Sequence, residues 1–336
     1  MTLAILGAGG WGTALSIILA PRFDRVRLWV YEHDLAARMQ SSRENDIYLP
    51  GLKLPESVVI ETSLAPALAG AEIVLGVMPS RHARRVYTEA LPYLRSSMTF
   101  VSATKGIEQG TLLRMSQVLR EVTVRRVTAE PFEARIAVLS GPTFALEVGR
   151  GEPAAVVIAS GDLTVAERVQ AAFAGPAFRL YTNPDPIGVE LGAALKNVIA
   201  IGAGVCQGLG LGNNTLAALI TRGLAEITRL AVAMGGQPKT LAGLAGLGDL
   251  VLTCSGELSR NRRVGIELAK GRPLAEIVGS MPMIAEGVET CAAAVELGER
   301  FRVDLPIMQQ MHAVLYAGKG PREALRDLLE RSLKGE

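Results

Sequence analysis

A doubly wound, parallel α/β sheet followed by an all-α C-terminal domain is the fold this 336-residue chain predicts. Three observations lead there. Short β-branched runs alternate with helical stretches through the first half, the pattern of repeated βαβ units. A cluster of glycines separates the first such run from the first helical stretch. Beyond about Tyr181 almost every segment has helical periodicity, broken by glycine-rich turns such as GLGLG and GLAGLGD. The length exceeds what one hydrophobic core usually organises, so two domains are expected, 1–182 and 183–336.

The candidate strands, in order, are Thr2–Leu6, Val26–Tyr31, Val58–Glu61, Ile73–Met78, Thr99–Ala103, Ile136–Ser140 and Ala155–Ala159. Runs such as IVLGVM are apolar throughout, as strands covered on both faces must be. Trp11–Ala20, His82–Leu94 and Leu112–Glu121 have helical spacing between them. Thr182–Pro186 reads as a linker or a helix start. Helical periodicity then covers Ile187–Cys206, Thr215–Met234, Arg260–Lys270, Gly287–Phe301, Leu305–Leu315 and Arg322–Leu333.

Composition excludes several classes. Hydrophobic residues are 49% and charged residues 20%, which rules out a disordered chain. A formal net charge of +2 and 4% aromatics give no basic, base-stacking surface, so nucleic acid is not an expected partner. Cys206, Cys254 and Cys291 form no C-x-x-C and cannot all pair, which fits a reducing cytoplasm, and no metal site is assigned. The first twenty residues lack the positive leader of a signal peptide. Every long apolar run is interrupted by Gly, Asn or Lys, so no membrane insertion is expected.

Gly7-Ala8-Gly9-Gly10-Trp11-Gly12 matches G-x-G-x-x-G between the strand TLAIL and the helix TALSIILA. Gly7 permits the tight turn, Gly9 lets backbone approach a pyrophosphate, and Gly12 lets helix and strand pack closely, while the helix start offers free N–H groups. In that context the motif predicts a Rossmann-type dinucleotide site, with a ligand-free glycine turn as the plainer alternative. Glu32 lies twenty residues after Gly12, where a carboxylate accepts from a ribose 2′-hydroxyl and repels a 2′-phosphate. That slightly favours NAD over NADP as cofactor; a solvated glutamate at a strand end reads nearly as well.

Of 35 basic residues 28 are Arg and only 7 are Lys, so a Lys in apolar surroundings calls for a reason. Lys196 is the only charged residue between Leu191 and Thr221. Burial there would lower its pKa toward a range useful for acid–base chemistry, unless its stem is buried and its amine reaches water. Asn197 projects about 100° further round the same helix, placed to hold a substrate hydroxyl. Asp249 is the only charged residue from Thr240 to Gly256 and either pairs with Lys196 or caps a helix after Gly248. Thr253, four residues on, shares its helical face. Lys105 follows a strand, at the sheet end where α/β proteins bind ligands, or is a plain surface turn. Ser259-Arg260-Asn261-Arg262-Arg263 opens a helix with a capping Ser and an Arg fork, a phosphate hook or a solvated basic turn.

The segments GAGGWGTA, NDIYLPGLKLP, ATKGIE, LSGPTFALE, LKNVIAIGAGVCQGLGLG, AALITRGLAEI, GLAGLGDLVLTC, SRNRR, AEGVET and LPIM occur in order along the chain. By them it resembles the bacterial NAD(P)-dependent glycerol-3-phosphate dehydrogenases. The resemblance implies interconversion of dihydroxyacetone phosphate and sn-glycerol 3-phosphate, with a role in phospholipid synthesis. It implies Lys196 as proton donor and acceptor, Asp249 orienting it, and Lys105 contacting substrate and cofactor. Ser259, Arg260 and Asn261 would grip the phosphate end, with Gly141 and Thr143 lining the cleft. Gly10, Trp11, Ala145, Arg260, Ile284, Glu286 and Tyr31 or Tyr48 would touch the dinucleotide. Many members carry basic residues near the positions of Tyr31 and Glu32 that take a 2′-phosphate, and this stretch has none. Val122–Arg135 looks longer than usual. A homodimer is permitted. The alternatives are a related Rossmann-plus-helical hydroxyacid dehydrogenase and a non-catalytic dinucleotide sensor.

Overall fold

The computed structural model describes residues 1–124, 132–281, 283, 285–333 and 335. Its first part is built on ten strands: β1 (Thr2–Leu6), β2 (Arg25–Trp29), β3 (Glu44–Asn45), β4 (Leu49–Lys53), β5 (Val58–Glu61), β6 (Ile73–Gly76), β7 (Thr99–Ser102), β8 (Arg135–Ser140), β9 (Ala154–Ala159) and β10 (Phe178–Asn183). Eight of them form one sheet in the order β10-β9-β8-β7-β6-β1-β2-β5, and β3 and β4 make a separate hairpin.

From β5 to β8 the pairs are parallel. The expected doubly wound parallel sheet is thus present with one departure: β9 runs antiparallel to β8, and β10 is parallel to β9. Between β8 and β9 lies only a one-turn helix, Ala145–Gly149, and an antiparallel pair needs no full crossover. The helix Leu163–Phe173 is the crossover that makes β9 and β10 parallel. β10 escaped the sequence reading because edge position leaves Arg179 and Tyr181 exposed, so FRLYTN carries no continuous apolar signal.

The seven expected strands all form, with ends shifted by up to two residues. Alternation along β1 explains the two-sided cover. Leu3 and Ile5 enter one core with Leu15, Leu19, Val169 and Phe173, and Ala4 and Leu6 enter another with Ala83, Val86 and Tyr87. The first crossover helices are Gly10–Leu19 and Ser80–Ala90, with Met115–Val124 following β7. Of the stretch from Val122 to Arg135, expected to be longer than usual, residues 125–131 lie outside the described residues.

Asp185 accepts from Gly188 N at 2.9 Å and, with Pro186 in the first turn, starts the helix Pro186–Gly208. By length and composition this 23-residue helix could cross a membrane, a point that the search for uninterrupted apolar runs missed. Its residues Gly188 to Cys206 are buried instead inside the protein, as the axis of a helical core with Leu195, Val198 and Ile199 at its centre. The helices Asn213–Ala233, Arg260–Ala269, Glu286–Phe301, Pro306–Tyr316 and Pro321–Leu329 follow the expected pattern within a few residues. Against the long helix, Arg260–Ala269 packs backbone to backbone: a Cβ on Gly204 would sit 1.9 Å from Arg262 O, and one on Gly265 1.9 Å from Ile201 O. That approach sets Asn261 beside Asn197.

Candidate active site

Three separate parts of the chain converge on Asp249. It is the first residue of the helix Asp249–Ser255, which follows a π-helical turn, Leu244–Gly248, and it is 0% exposed. Its side chain does not cap the helix. One oxygen, Oδ1, accepts from Lys196 Nζ, and the other, Oδ2, accepts from Lys105 Nζ at 2.9 Å. Lys196 is 4% exposed, so its amine does not reach out to water. Lys105 also donates to Gly141 O at 3.1 Å and Thr143 Oγ1 at 3.3 Å, which ties the carboxyl ends of β7 and β8 to the helical core.

Thr253 completes the arrangement. Its hydroxyl donates to Asp249 O at 2.6 Å, so it can only accept from Lys196 Nζ, 2.7 Å away. Two of the three hydrogens of the ammonium are thereby directed, and one position on nitrogen is left over. Burial pushes the Lys196 pKa down to about 7; the Asp249 carboxylate opposes that shift and the Lys105 charge adds to it. Two cations sharing one buried carboxylate leave Lys196 balanced between its charged and neutral forms near neutral pH.

On the next face of the helix, Asn197 Oδ1 accepts from Asn261 Nδ2 at 3.0 Å, and Asn261 Oδ1 accepts from Gly287 N at 2.9 Å. Ser259 Oγ caps its helix by accepting from Arg262 N at 3.3 Å. Arg260 stands at the same helix start and makes no ion pair among the described residues. It borders a cavity of about 260 Å³ with Ser259 and Arg263.

The glycine loop fits a dinucleotide on its own geometry. Gly7 has φ +116°, and a Cβ on Gly12 would stand 1.9 Å from Gly7 O, so both glycines are required by the turn and by packing. A Cβ on Gly9 would meet no protein atom within 4 Å, so nothing in the fold requires glycine there; the space is open for a ligand. Trp11 Nε1 is buried without a partner among the described residues. A Cβ on Gly10 would lie 2.8 Å from Tyr48 O, 3.7 Å from Ala145 Cβ and 3.8 Å from Met283 Sδ, so three distant segments meet at the loop. Ile284 lies outside the described residues. Glu286 is half-buried and accepts from Ser80 N at 3.2 Å and Ser80 Oγ at 2.7 Å, joining the helical part to the start of Ser80–Ala90. Glu32 follows β2 and accepts from Tyr48 OH at 3.0 Å; Tyr31 beside it is exposed.

Sequence reasoning missed Asn45. Fully buried in the β3–β4 hairpin, it donates to Ala8 O at 2.7 Å and Thr13 Oγ1 at 2.8 Å and accepts from Tyr48 N at 2.9 Å, pinning the glycine loop from below. Its presence in NDIYLP was the available signal, but an Asn before a turn usually serves the turn alone. Asn45→Ala is expected to leave these buried groups unpaired, costing about 1–3 kcal/mol of stability. NADH binding, measured by fluorescence titration on the folded variant, should weaken on the order of tenfold.

The family model for the NAD-dependent glycerol-3-phosphate dehydrogenase N-terminus matches residues 2–166, and that for the C-terminus matches residues 185–326. A glycerol-3-phosphate dehydrogenase [NAD(P)+] of Koribacter versatilis is 56% identical over 98% of this chain and 97% of its own length. One of Citrifermentans bemidjiense is 52% identical over 99% and 98%. The crystal structure of glycerol-3-phosphate dehydrogenase from Coxiella burnetii superposes with a TM-score of 0.91 at 38% identity, covering 98% of this chain and 99% of that one. Matched along nearly its whole length in sequence and in fold, the chain belongs to the NAD-dependent glycerol-3-phosphate dehydrogenase family.

Proposed function

We propose that this chain reduces dihydroxyacetone phosphate to sn-glycerol 3-phosphate with NADH or NADPH, and catalyses the reverse oxidation. The observation that carries the reading is the buried Lys196, held by Asp249 and Thr253 with one position on its nitrogen undirected. In reduction, Lys196 Nζ gives its remaining proton to the carbonyl oxygen at C2. In oxidation, the neutral amine takes that proton back through its lone pair. Asp249 fixes the direction of the amine, and Lys105, held by the same carboxylate, would contact the substrate beside it. When bound, the nicotinamide supplies or accepts the hydride at C2.

Gly7, Gly9, Gly10, Trp11 and Gly12 would hold the pyrophosphate, with Tyr48, Ala145 and Glu286 around it. Ser259, Arg260 and Asn261 would take the phosphate end of the substrate, using remote binding energy to place C2. Asn197, Gly141 and Thr143 would line the cleft between. Residues 1–182 act as the dinucleotide domain and 183–336 as the substrate domain. We further read the protein as a cytoplasmic homodimer, not inserted in a membrane, supplying glycerol 3-phosphate for phospholipid synthesis. Three buried, unpaired cysteines and the burial of Pro186–Gly208 support that placement.

The test is loss of reduced-nicotinamide absorbance when purified protein receives dihydroxyacetone phosphate, with NADH and NADPH in parallel. Rapid oxidation supports the reading; folded protein that binds NADH without turning it over would favour the sensor, and activity only on hydroxyacid substrates would favour the related dehydrogenase. For Arg260→Ala, steady-state kinetics should show KM for dihydroxyacetone phosphate rising on the order of tenfold or more, as loss of a charged hydrogen bond requires. An unchanged KM would remove Arg260 from the phosphate site.

A further inference from the structure

The stretch Tyr31-Glu32-His33, just after β2, offers no Arg or Lys for a 2′-phosphate. The fold supplies one from elsewhere. The helix Ser80–Ala90 packs Ala83 and Val86 into the same core as Trp29, the last residue of β2. The Tyr31 ring stands edge-on to Trp29, with centroids 6.0 Å apart at 67°. Over its face lies the Arg85 guanidinium, with Cζ 4.9 Å from the ring centroid. The only ion pair of Arg85 among the described residues is with Glu89, four residues on, at 3.1 Å, and both side chains are partly exposed, so the guanidinium keeps donors free. The Glu32 carboxylate, one residue after Tyr31, is engaged by Tyr48 OH.

We infer that Arg85, stacked on Tyr31, is the residue that takes the 2′-phosphate of NADPH and lets this chain use it despite Glu32. The inference rests on the dinucleotide reading of the glycine loop given above. In Rossmann-type sites the acidic residue after the second strand faces the ribose 2′-hydroxyl, and a nearby Arg accommodates a 2′-phosphate. Here Arg85, from the helix Ser80–Ala90, lies over Tyr31, the residue before Glu32. Arg85 attracts the dianion and Glu32 repels it, so their balance sets the NADPH-to-NADH ratio. The planar fork suits phosphate, and stacking holds it in one orientation. Arg81, paired with Glu289 at 2.9 Å, and His82 are also nearby.

The test titrates the folded protein calorimetrically with adenosine 2′,5′-bisphosphate and, separately, with ADP, which lacks the 2′-phosphate. Arg85→Ala should weaken the first on the order of tenfold or more and leave the second within about twofold. Glu32→Gln should tighten the first selectively. In turnover, kcat/KM with NADPH should fall in Arg85→Ala while that with NADH holds, and Arg85→Lys should recover part of the loss. Equal effects on both nucleotides, or none on either, would overturn the assignment. If neither NADH nor NADPH is oxidised with dihydroxyacetone phosphate, the functional reading fails and the two-nucleotide titration still decides Arg85. If NADH turnover is normal and the titrations do not separate, Arg85 alone fails.

Discussion

Replacing Lys196 with methionine is expected to lower kcat by about 10³-fold, within the range that a positioned acid–base group contributes. NADH affinity, measured by fluorescence titration, should stay within about twofold, because the lost interaction is made to the reacting oxygen rather than to the cofactor. Methionine fills the same volume without a charge, so the helical core should hold. Lys196→Arg should not restore activity: a guanidinium satisfies Asp249 and Thr253 but does not release its proton near neutral pH. Retention of more than about a tenth of kcat in Lys196→Met would show that the proton comes from another group.

Replacing Asp249 with asparagine carries the second large effect. The carboxylate bridges Lys196 and Lys105, and its attraction is what raises the Lys196 pKa against burial. Without it Lys196 titrates lower, loses its charge at neutral pH, and is no longer held toward C2. Reduction at pH 7 should fall about 10²-fold, and the declining limb of its pH profile should move to lower pH. Removing one partner of a buried pair costs about 3–5 kcal/mol when the other charge must stay. Lys196 can shed its proton, so the stability loss, read by denaturant unfolding, should fall at or below the bottom of that range. Reduced activity with an unmoved pH profile would mean that Asp249 only supports the fold.

Lys196 and Asp249 were legible in the sequence because a charged residue in a long apolar stretch has few physical justifications, and the two explain each other. Lys105 was legible from its place after a strand, and Ser259 from its place before a basic helix start. What local sequence does not encode is how remote segments meet. The direction of β9 depends on the short path from β8, not on the composition AAVVIA. The link from Glu286 to Ser80 spans 206 residues, and Asn45 acts on a loop 37 residues before it. Arg85 carries no local signal in the sequence: its place over Tyr31 comes from a core that Ser80–Ala90 and Trp29 share. The β3–β4 hairpin went unread because Pro50 and Gly51 disguise it as a loop.

The claim on which the rest depends is that Lys196 exchanges the substrate proton with a pKa near neutrality. Its most direct measurement is the pH dependence of kcat/KM for dihydroxyacetone phosphate in reduction and for sn-glycerol 3-phosphate in oxidation, which reports groups of the free enzyme. Reduction needs Lys196 protonated and should decline as pH rises through about 7; oxidation needs it neutral and should rise across the same interval. Mirror-image profiles sharing that midpoint, both flattened in Lys196→Met, are the expected result. Profiles that are level through neutrality and turn only near the ordinary lysine pKa would contradict the account.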